Sequence, residues 1–282
     1  MAHPAYYGIW HKLGSLLLKS SSYLVLLFLI LPILVIVPLS FNAEPFFTFT
    51  EGMLRLDPAA YSLRWYEQIF TDPKWLLSIK NSFIIGIFST ILATVLGTCA
   101  AIGLARDEMP GRRFITALLL SPMIVPLIIT AAGMFFFYSK FNLAATYSGI
   151  VIAHAALGTP FVIITVTATL AGFDMSLVRA ALNLGAAPVK VFFDVIMPLI
   201  RPGVISGALF AFITSFDEVV VILFMAGPQQ RTIPRQMFSG LREQINPTIL
   251  AVATLLIVLS VILLLTLEWL RRRSQHMRGI EN

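Results

Sequence analysis

Residues 171–198 read AGFDMSLVRAALNLGAAPVKVFFDVIMP and stand between two long apolar runs. The stretch is too long for a simple connection between two helices, and its pattern is helical. We expect a short helix over Met175–Leu184, with Asp174 as its N-cap and Gly185 as the left-handed residue that ends it. Pro188 suits the first turn of a second short helix. The stretch therefore predicts a protruding knob that fits a groove on a soluble partner.

The knob leads into a long apolar run. We expect its second helix to end near Val195, and Pro198 to begin the next membrane span. Five other runs are also apolar enough to cross a bilayer, which takes about 20 residues. The sequence thus predicts an all-α membrane protein with six transmembrane helices. The predicted spans are Ser21–Phe41, Ile79–Ala105, Phe114–Tyr138, Tyr147–Leu170, Leu199–Met225 and Thr248–Leu270.

The composition of the whole chain supports this class. Hydrophobic residues make up 58% of the 282 residues, charged residues make up 12%, and the mean hydropathy is +0.87. A soluble domain carries about 25% charged residues, so this chain lacks the polar side chains to cover a water-exposed surface. The same figures exclude a disordered chain, a coiled coil and a disulfide scaffold. The unbroken apolar runs exclude a β-barrel, whose strands alternate.

The distribution of basic residues predicts the orientation of the chain. With the N-terminus inside, twelve of the 20 Lys and Arg residues lie on the inner side, including Arg271–Arg273 after the last span. Cytoplasmic loops retain such an excess, so we expect both termini in the cytoplasm. The expected organisation is a cytoplasmic segment over 1–20, a transmembrane domain over 21–272 that contains the inner loop 171–198, and a cytoplasmic tail over 273–282.

Two segments on the outer side have patterns of their own. Tyr61–Phe70 (YSLRWYEQIF) is typical of an amphipathic interfacial helix, with Trp65 and Tyr66 at the level of the lipid headgroups. Residues 226–247 are polar and contain Gly, Pro and the string TIPRQMFSGLREQINP. A plain loop is the alternative interpretation of both segments.

The 171–198 segment resembles the cytoplasmic signature loop of ABC-importer permease subunits, E-A-A-x3-G-x9-I-x-L-P. The spacing matches throughout, while Arg replaces Glu, Val replaces Ile and Met replaces Leu. The Arg reverses a charge, so no salt bridge of the family's Glu is carried over to it. Two alanines and a glycine allow a partner to approach closely. The positions that match the signature are Arg179, Ala180, Ala181, Gly185, Val195, Met197 and Pro198.

The resemblance covers about residues 60–272. Residues 81–106 (NSFIIGIFSTILATVLGTCAAIGLAR) and 215–247 are similar to the permeases of spermidine/putrescine importers. It implies a bacterial inner-membrane permease with the six-helix fold of type I ABC importers. It also implies three kinds of partner in the membrane complex: a second homologous permease, a pair of ATPase subunits bound to the signature loops, and a periplasmic substrate-binding protein. The implied function is import of spermidine or putrescine by alternating access.

The sequence contains no phosphate-binding loop of the form G-x-x-x-x-G-K-[ST], since no Gly is followed by Lys. We therefore expect ATP and Mg²⁺ to bind partner ATPase subunits, with no cofactor in this chain. No metal-ligand cluster and no catalytic motif of the H-E-x-x-H or G-x-S-x-G type is present, so no enzyme activity is expected. The basic residues form no stripe with interleaved aromatics, so nucleic acid is not an expected partner.

The predicted fifth span is interrupted by the polar group Ser215–Glu218, which contains two acids. A charge in hydrocarbon costs several kcal/mol, so Asp217 and Glu218 are expected to face a cavity or a partner. Together with Ser215 and Phe216, they are candidates to line the passage of an organic cation. The alternatives are that these acids hold two permeases together through hydrogen bonds, or that they lie nearer the interface. His154, in the fourth span, is expected to make a hydrogen bond between helices.

Other functions remain open at the level of the sequence. Within the same class of permease, the alternative substrates are ferric iron, thiamine, a phosphonate or an amino-acid-like amine. The sequence barely separates them, because the binding protein sets most of the selectivity. An intramembrane enzyme is disfavoured by the absent catalytic motifs. A passive channel is a further alternative, and uptake that persists without ATP would indicate it.

Overall fold

A computed structural model describes residues 9–106, 109–172, 174, 176–243 and 246–277. The chain forms two compact units, one of Met1–Ile69 with Gln244–Val258 and one of Phe70–Glu243 with Leu259–Asn282. The described residues form α1 (Ile9–Leu39), α2 (Glu51–Leu54), α3 (Arg64–Thr71), α4 (Pro73–Leu104), α5 (Arg112–Leu120), α6 (Leu127–Ser139), α7 (Tyr147–Leu170), α8 (Ser176–Asn183), α9 (Pro188–Val191), α10 (Met197–Asp217), α11 (Val220–Met225), α12 (Ile233–Glu243) and α13 (Thr248–Met277).

The described residues contain five helices that are long and apolar enough to cross a bilayer, or six when the bent pair α5–α6 is taken as one broken span. The fourth predicted span matches α7 at both ends. Helices α1 and α13 extend beyond the first and sixth predictions, and residues 1–8 and 278–282 of the predicted terminal segments lie outside the described residues. The six-helix fold class is confirmed.

The second span begins earlier than predicted. Asp72 accepts a hydrogen bond from the Lys74 N–H at 2.8 Å, and Pro73 occupies the first position of α4. An Asp cap followed by Pro is a strong start signal, so the helix begins at this polar boundary and not at the apolar run that starts at Ile79.

The third predicted span, Phe114–Tyr138, is divided into two helices. Helices α5 and α6 meet at an angle of 99°, and a 3-10 turn over Ser121–Met123 lies between them. Pro122 and Pro126 cause the break, because neither residue has an N–H to continue the helical hydrogen bonds. The break also rotates α6 away from the direction of α5.

Helix α3 confirms a helix within the Tyr61–Phe70 segment. Trp65 is buried, and its Nε1–H donates to the carbonyl oxygen of Asn42 at 2.7 Å. The hydroxyl of the half-buried Tyr66 lies 2.6 Å from Oγ of Ser40. Both side chains thus anchor the protein's own loop, where their polar atoms find partners.

The larger unit is built on α4, α7 and α10, which pack closely. A Cβ on Gly97 would lie 2.6 Å from Cβ of Val162, and a Cβ on Gly207 would lie 2.5 Å from Oγ1 of Thr165. Small residues at these two contacts let the helix backbones approach, as membrane helices require. The core around them includes the buried residues Ala93, Ala101, Ala155, Val166, Ile200 and Ala211.

Candidate functional site

The knob begins at an aspartate cap, as predicted. Oδ1 of Asp174 accepts from the Ser176 N–H at 2.8 Å, and Oδ2 accepts from the Ser176 hydroxyl at 2.6 Å. These two hydrogen bonds, the hydroxyl's first, hold the pKa of Asp174 below its usual value, and the positive charge of Arg179 acts in the same direction. The first described helical residue is Ser176, while Met175 of the predicted helix lies outside the described residues.

The end of α8 is also as predicted. Gly185 has a φ of +82°, in the left-handed region that favours glycine. Its N–H donates to the carbonyl of Leu182 at 2.9 Å, and the N–H of Ala186 donates to the carbonyl of Ala181 at 3.1 Å. This pair of bonds is the Schellman arrangement, which closes the helix and satisfies two of its last carbonyls.

The second half of the knob differs from the prediction. We expected a separate helix ending near Val195 and a new start at Pro198, but the chain is helical from Pro188 to Asp217. Helix α9 passes into α10 through a π-helical turn over Phe192–Ile196. Pro198 has no N–H, and the N–H of Met197 donates to the carbonyl of Phe192, so the chain absorbs the proline by widening one turn. The second half of the knob is therefore helically continuous with the fifth span, and α8 is joined to it through the turn at Gly185.

The signature positions lie on the accessible side of the knob. Arg179, Ala180, Gly185 and Pro198 are exposed, whereas Ala181, Val195 and Met197 are half-buried. Large apolar side chains around them are also exposed, with Leu184 at 89% and Val189 at 69%. Apolar side chains of this size at a polar surface mark an interaction site. The other exposed members are Leu177, Leu182 and Phe193.

The Ser215–Glu218 stretch lies at the end of α10 and not inside a longer helix. The predicted interruption of the fifth span, Leu199–Met225, is confirmed, because α10 ends at Asp217 and α11 begins at Val220. Glu218 is only 7% exposed, and its Oε1 accepts from the Val221 N–H at 2.9 Å. This carboxylate thus caps one of the first N–H groups of α11 from the residue before the N-cap position, Val219.

The four candidate pathway residues have different environments. Asp217 is exposed, while Ser215 and Phe216 are buried. The ring of Phe216 lies 5.3 Å from the rings of both Phe83 and Phe212. Asp217 is thus the member of the group that presents a carboxylate at the surface of this chain.

His154 confirms the prediction of a hydrogen bond between helices. Its Nδ1 lies 2.8 Å from Oγ of Ser215, which lies 2.8 Å from Oγ of Ser89. The three buried side chains connect α7, α10 and α4 next to Phe216 and Asp217. Sequence reasoning missed Ser89, whose only signal was a polar residue within an apolar run.

A second set of hydrogen bonds fixes the segment after α11. Nδ2 of Asn81 donates to the carbonyls of Gln229 and Arg231, both at 2.8 Å. The hydroxyl of Tyr147 lies 2.8 Å from Oδ1 of Asn81 and 2.9 Å from the Gln229 carbonyl, and it donates its one hydrogen to either acceptor. This segment continues into α12, so it is not the plain loop of the alternative interpretation. Sequence reasoning missed both anchoring residues.

Residues 93–276, which include the knob and the end of α10, match the family described as "Binding-protein-dependent transport system inner membrane component". The chain belongs to this family of permeases. The permease is 30% identical to the spermidine/putrescine transport system permease protein PotC of Haemophilus influenzae over 254 residues, 90% of this chain and 96% of the relative. It is 32% identical to the putrescine transport system permease protein PotI of Escherichia coli K12 over 237 residues, 82% of each chain.

A solved structure supports the fold of the permease. The structure of a bacterial ABC transporter that imports the acidic polysaccharide alginate superimposes with a TM-score of 0.71 at 16% identity, covering 94% of this chain and 99% of that one. The family match and the two relatives confirm the resemblance to ABC-importer permeases of the spermidine/putrescine type. The protein is an inner-membrane permease subunit, which is not an enzyme class.

Proposed function

We propose that this permease is one half of the translocation pathway of an ATP-driven importer for a small organic cation such as spermidine or putrescine. The observation that carries the proposal is the knob, which bears exposed apolar side chains and whose second half is helically continuous with α10. A partner that grips the knob therefore moves the fifth span directly. The relatives PotC and PotI supply the substrate class.

The proposed complex has four kinds of subunit. A pair of ATPases binds ATP and Mg²⁺ and holds the knob of this chain and that of a second, homologous permease. A periplasmic binding protein delivers the substrate from outside. Both termini of this chain are cytoplasmic, so that the loop 171–198 faces the ATPases.

The proposed mechanism is alternating access. Binding of ATP draws the two ATPases together, and each carries a knob and its attached span with it. The spans open toward the periplasm and accept the cation, and hydrolysis returns them to the inward-open state. The exposed carboxylate of Asp217 supports the assignment of a cationic substrate. A negative charge at the end of a membrane helix attracts an ammonium group strongly where the dielectric constant is low.

Reconstitution tests the proposal. We would assemble the permease with its encoded ATPase, second permease and binding protein in proteoliposomes and measure uptake of radiolabelled putrescine and spermidine. We expect uptake that requires ATP on the knob side and that unlabelled polyamine suppresses. Uptake without ATP would contradict the importer and support a passive channel. ATP-driven uptake of iron, thiamine, a phosphonate or an amino-acid-like amine, with none of either polyamine, would contradict the substrate assignment.

A further inference from the structure

Three buried side chains form one connected chain across the bundle. Ser89 on α4, His154 on α7 and Ser215 on α10 are 1%, 1% and 5% exposed. Oγ of Ser215 lies 2.8 Å from both Oγ of Ser89 and Nδ1 of His154. These atoms are shielded from water, and Ser215 is the member that joins the other two through hydrogen bonds.

Ser215 depends on His154 in particular. Ser89 also has the carbonyl of Ile85 within reach, at 2.6 Å on its own helix, and a hydroxyl has one hydrogen to give. Ser89 therefore has a local substitute for its bond to Ser215. The hydrogen bond between Nδ1 of His154 and Ser215 also joins two helices, and Nδ1 has no such competing partner among the described residues.

His154 depends on Ser215 in return. Its Nε2 is buried and has no hydrogen-bond partner among the described residues. The imidazole is thus held through Nδ1 alone, and its orientation follows the position of Ser215. An unpaired buried polar atom is unfavourable, so the burial of Nε2 offsets part of the stability that packing of the His154 ring contributes.

The hydrogen-bonded pair of Ser215 and His154 lies where it can control the position of the end of α10. Ser215 lies two residues before Asp217, on the last turn of α10, and Phe216 between them packs on Phe83 and Phe212. A displacement of Ser215 therefore moves the end of α10 and the exposed carboxylate of Asp217 with it.

We propose that His154 is a positioning residue for transport, which holds Ser215 through Nδ1 and thereby fixes the end of α10 and the carboxylate of Asp217. The inference rests on the proposed function for its link to transport, but the geometry that it assigns has its own test.

The test measures how often the end of α10 opens. In a Cys99→Ala background, Ala211→Cys is labelled with a water-soluble methanethiosulfonate in the assembled complex, because Ala211 is buried on α10 one turn before Ser215 and a thiol there reacts when the end of the helix opens. Lys140→Cys, at an exposed position, is the reference thiol. His154→Leu removes the hydrogen bond, whereas His154→Asn keeps an amide where Nδ1 lies. Ser78→Ala is the matched control, because the buried Ser78 hydroxyl bonds only to Lys74 of its own helix.

We expect His154→Leu to raise the labelling rate at position 211 about fivefold, the usual effect of one lost buried hydrogen bond on an equilibrium. Ser215→Ala is expected to have the same effect, and the double variant no more than either single one, since both remove one contact. His154→Asn and Ser78→Ala are expected to label like the parent, as is Lys140→Cys in every background. Uptake is expected to fall in His154→Leu and Ser215→Ala, and to stay at the parent level in His154→Asn and Ser78→Ala.

Three results would overturn the inference. They are an unchanged labelling rate in Ser215→Ala, additive effects in the double variant, and a His154→Asn variant that labels as fast as a folded His154→Leu. Should His154→Leu fail to fold, Ser215→Ala and His154→Asn still decide between these outcomes. The labelling needs no substrate, so a lack of polyamine uptake would contradict the proposed function and leave the test of His154 intact.

Discussion

The carboxylate of Glu218 caps α11, because its Oε1 accepts a hydrogen bond from the Val221 N–H at 2.9 Å. The adjacent Asp217 is exposed instead. Two neighbouring acids at the break between α10 and α11 thus have different tasks, which single substitutions separate.

The cap predicts a stability effect at Glu218. Glu218→Gln retains an oxygen that accepts from Val221, whereas Glu218→Ala leaves that N–H without its acceptor. We expect Glu218→Ala to lower the free energy of unfolding by about 1 kcal/mol, the usual worth of an N-cap, and Glu218→Gln to stay near the parent. Thermal unfolding in detergent measures both. A Gln variant as unstable as the Ala variant would show that the charge, and not the cap, is what matters.

Asp217 predicts an effect on uptake without one on stability. Asp217→Asn keeps the size of the side chain and removes the charge that attracts an ammonium group. We expect putrescine uptake to fall about tenfold, which corresponds to about 1.4 kcal/mol in the rate-limiting step. Radiolabelled uptake by the reconstituted complex checks this, with Glu44→Gln, at an exposed acid far along the chain, as control. Normal uptake by a fully assembled Asp217→Asn complex would remove Asp217 from the pathway.

Gly185 predicts a backbone effect at the knob. A side chain at a φ of +82° is strained by about 1–2 kcal/mol, so Gly185→Ala is expected to loosen the end of α8. Gly172→Ala is the matched control, because Gly172 has no positive φ and a Cβ there meets no atom within 4 Å. Amide hydrogen exchange over 176–186 measures the change. Equal exchange in the two variants would contradict the role assigned to the turn.

Asp174 predicts that the start of α8 weakens in acid. The pKa of Asp174 is lowered in the folded protein by its hydrogen bonds to Ser176, so the ionised form stabilises the cap. That contribution is complete above the unfolded pKa of about 3.9 and is lost as the pH falls through the lower folded value. Exchange of the first α8 amides, corrected for intrinsic rates, is expected to rise below about pH 3.9. A pH-independent cap in the parent, with the same behaviour in Asp174→Ala, would contradict this.

The sequence predicts those elements whose limits are set by local chemistry. The fourth span is predicted correctly at both ends. Its start is set by Thr146, which caps the helix and accepts from the Gly149 N–H at 3.1 Å. The knob is right at Asp174 and Gly185 for the same reason. The third span is broken at two prolines that its apolar content hides, whereas the break in the fifth span is indicated by the polar group Ser215–Glu218.

The contacts between helices are beyond a single sequence. Ser89 and Ser215 are 126 positions apart, and His154 and Ser215 are 61 apart, so no periodicity brings them together. Trp65 shows the same limit, because an amphipathic pattern identifies a helix but not the Asn42 carbonyl that its indole reaches. Which polar residue serves packing and which faces a pathway follows from the assembled bundle.

Crosslinking at the knob tests the central claim most directly. A bifunctional thiol reagent would be applied to the assembled complex with Ala180→Cys in a Cys99→Ala background, since Ala180 is exposed on α8. We predict capture of a subunit that hydrolyses ATP, with a yield that changes when nucleotide is added. Failure to capture any ATPase, or labelling of position 180 from the periplasmic side, would contradict the account.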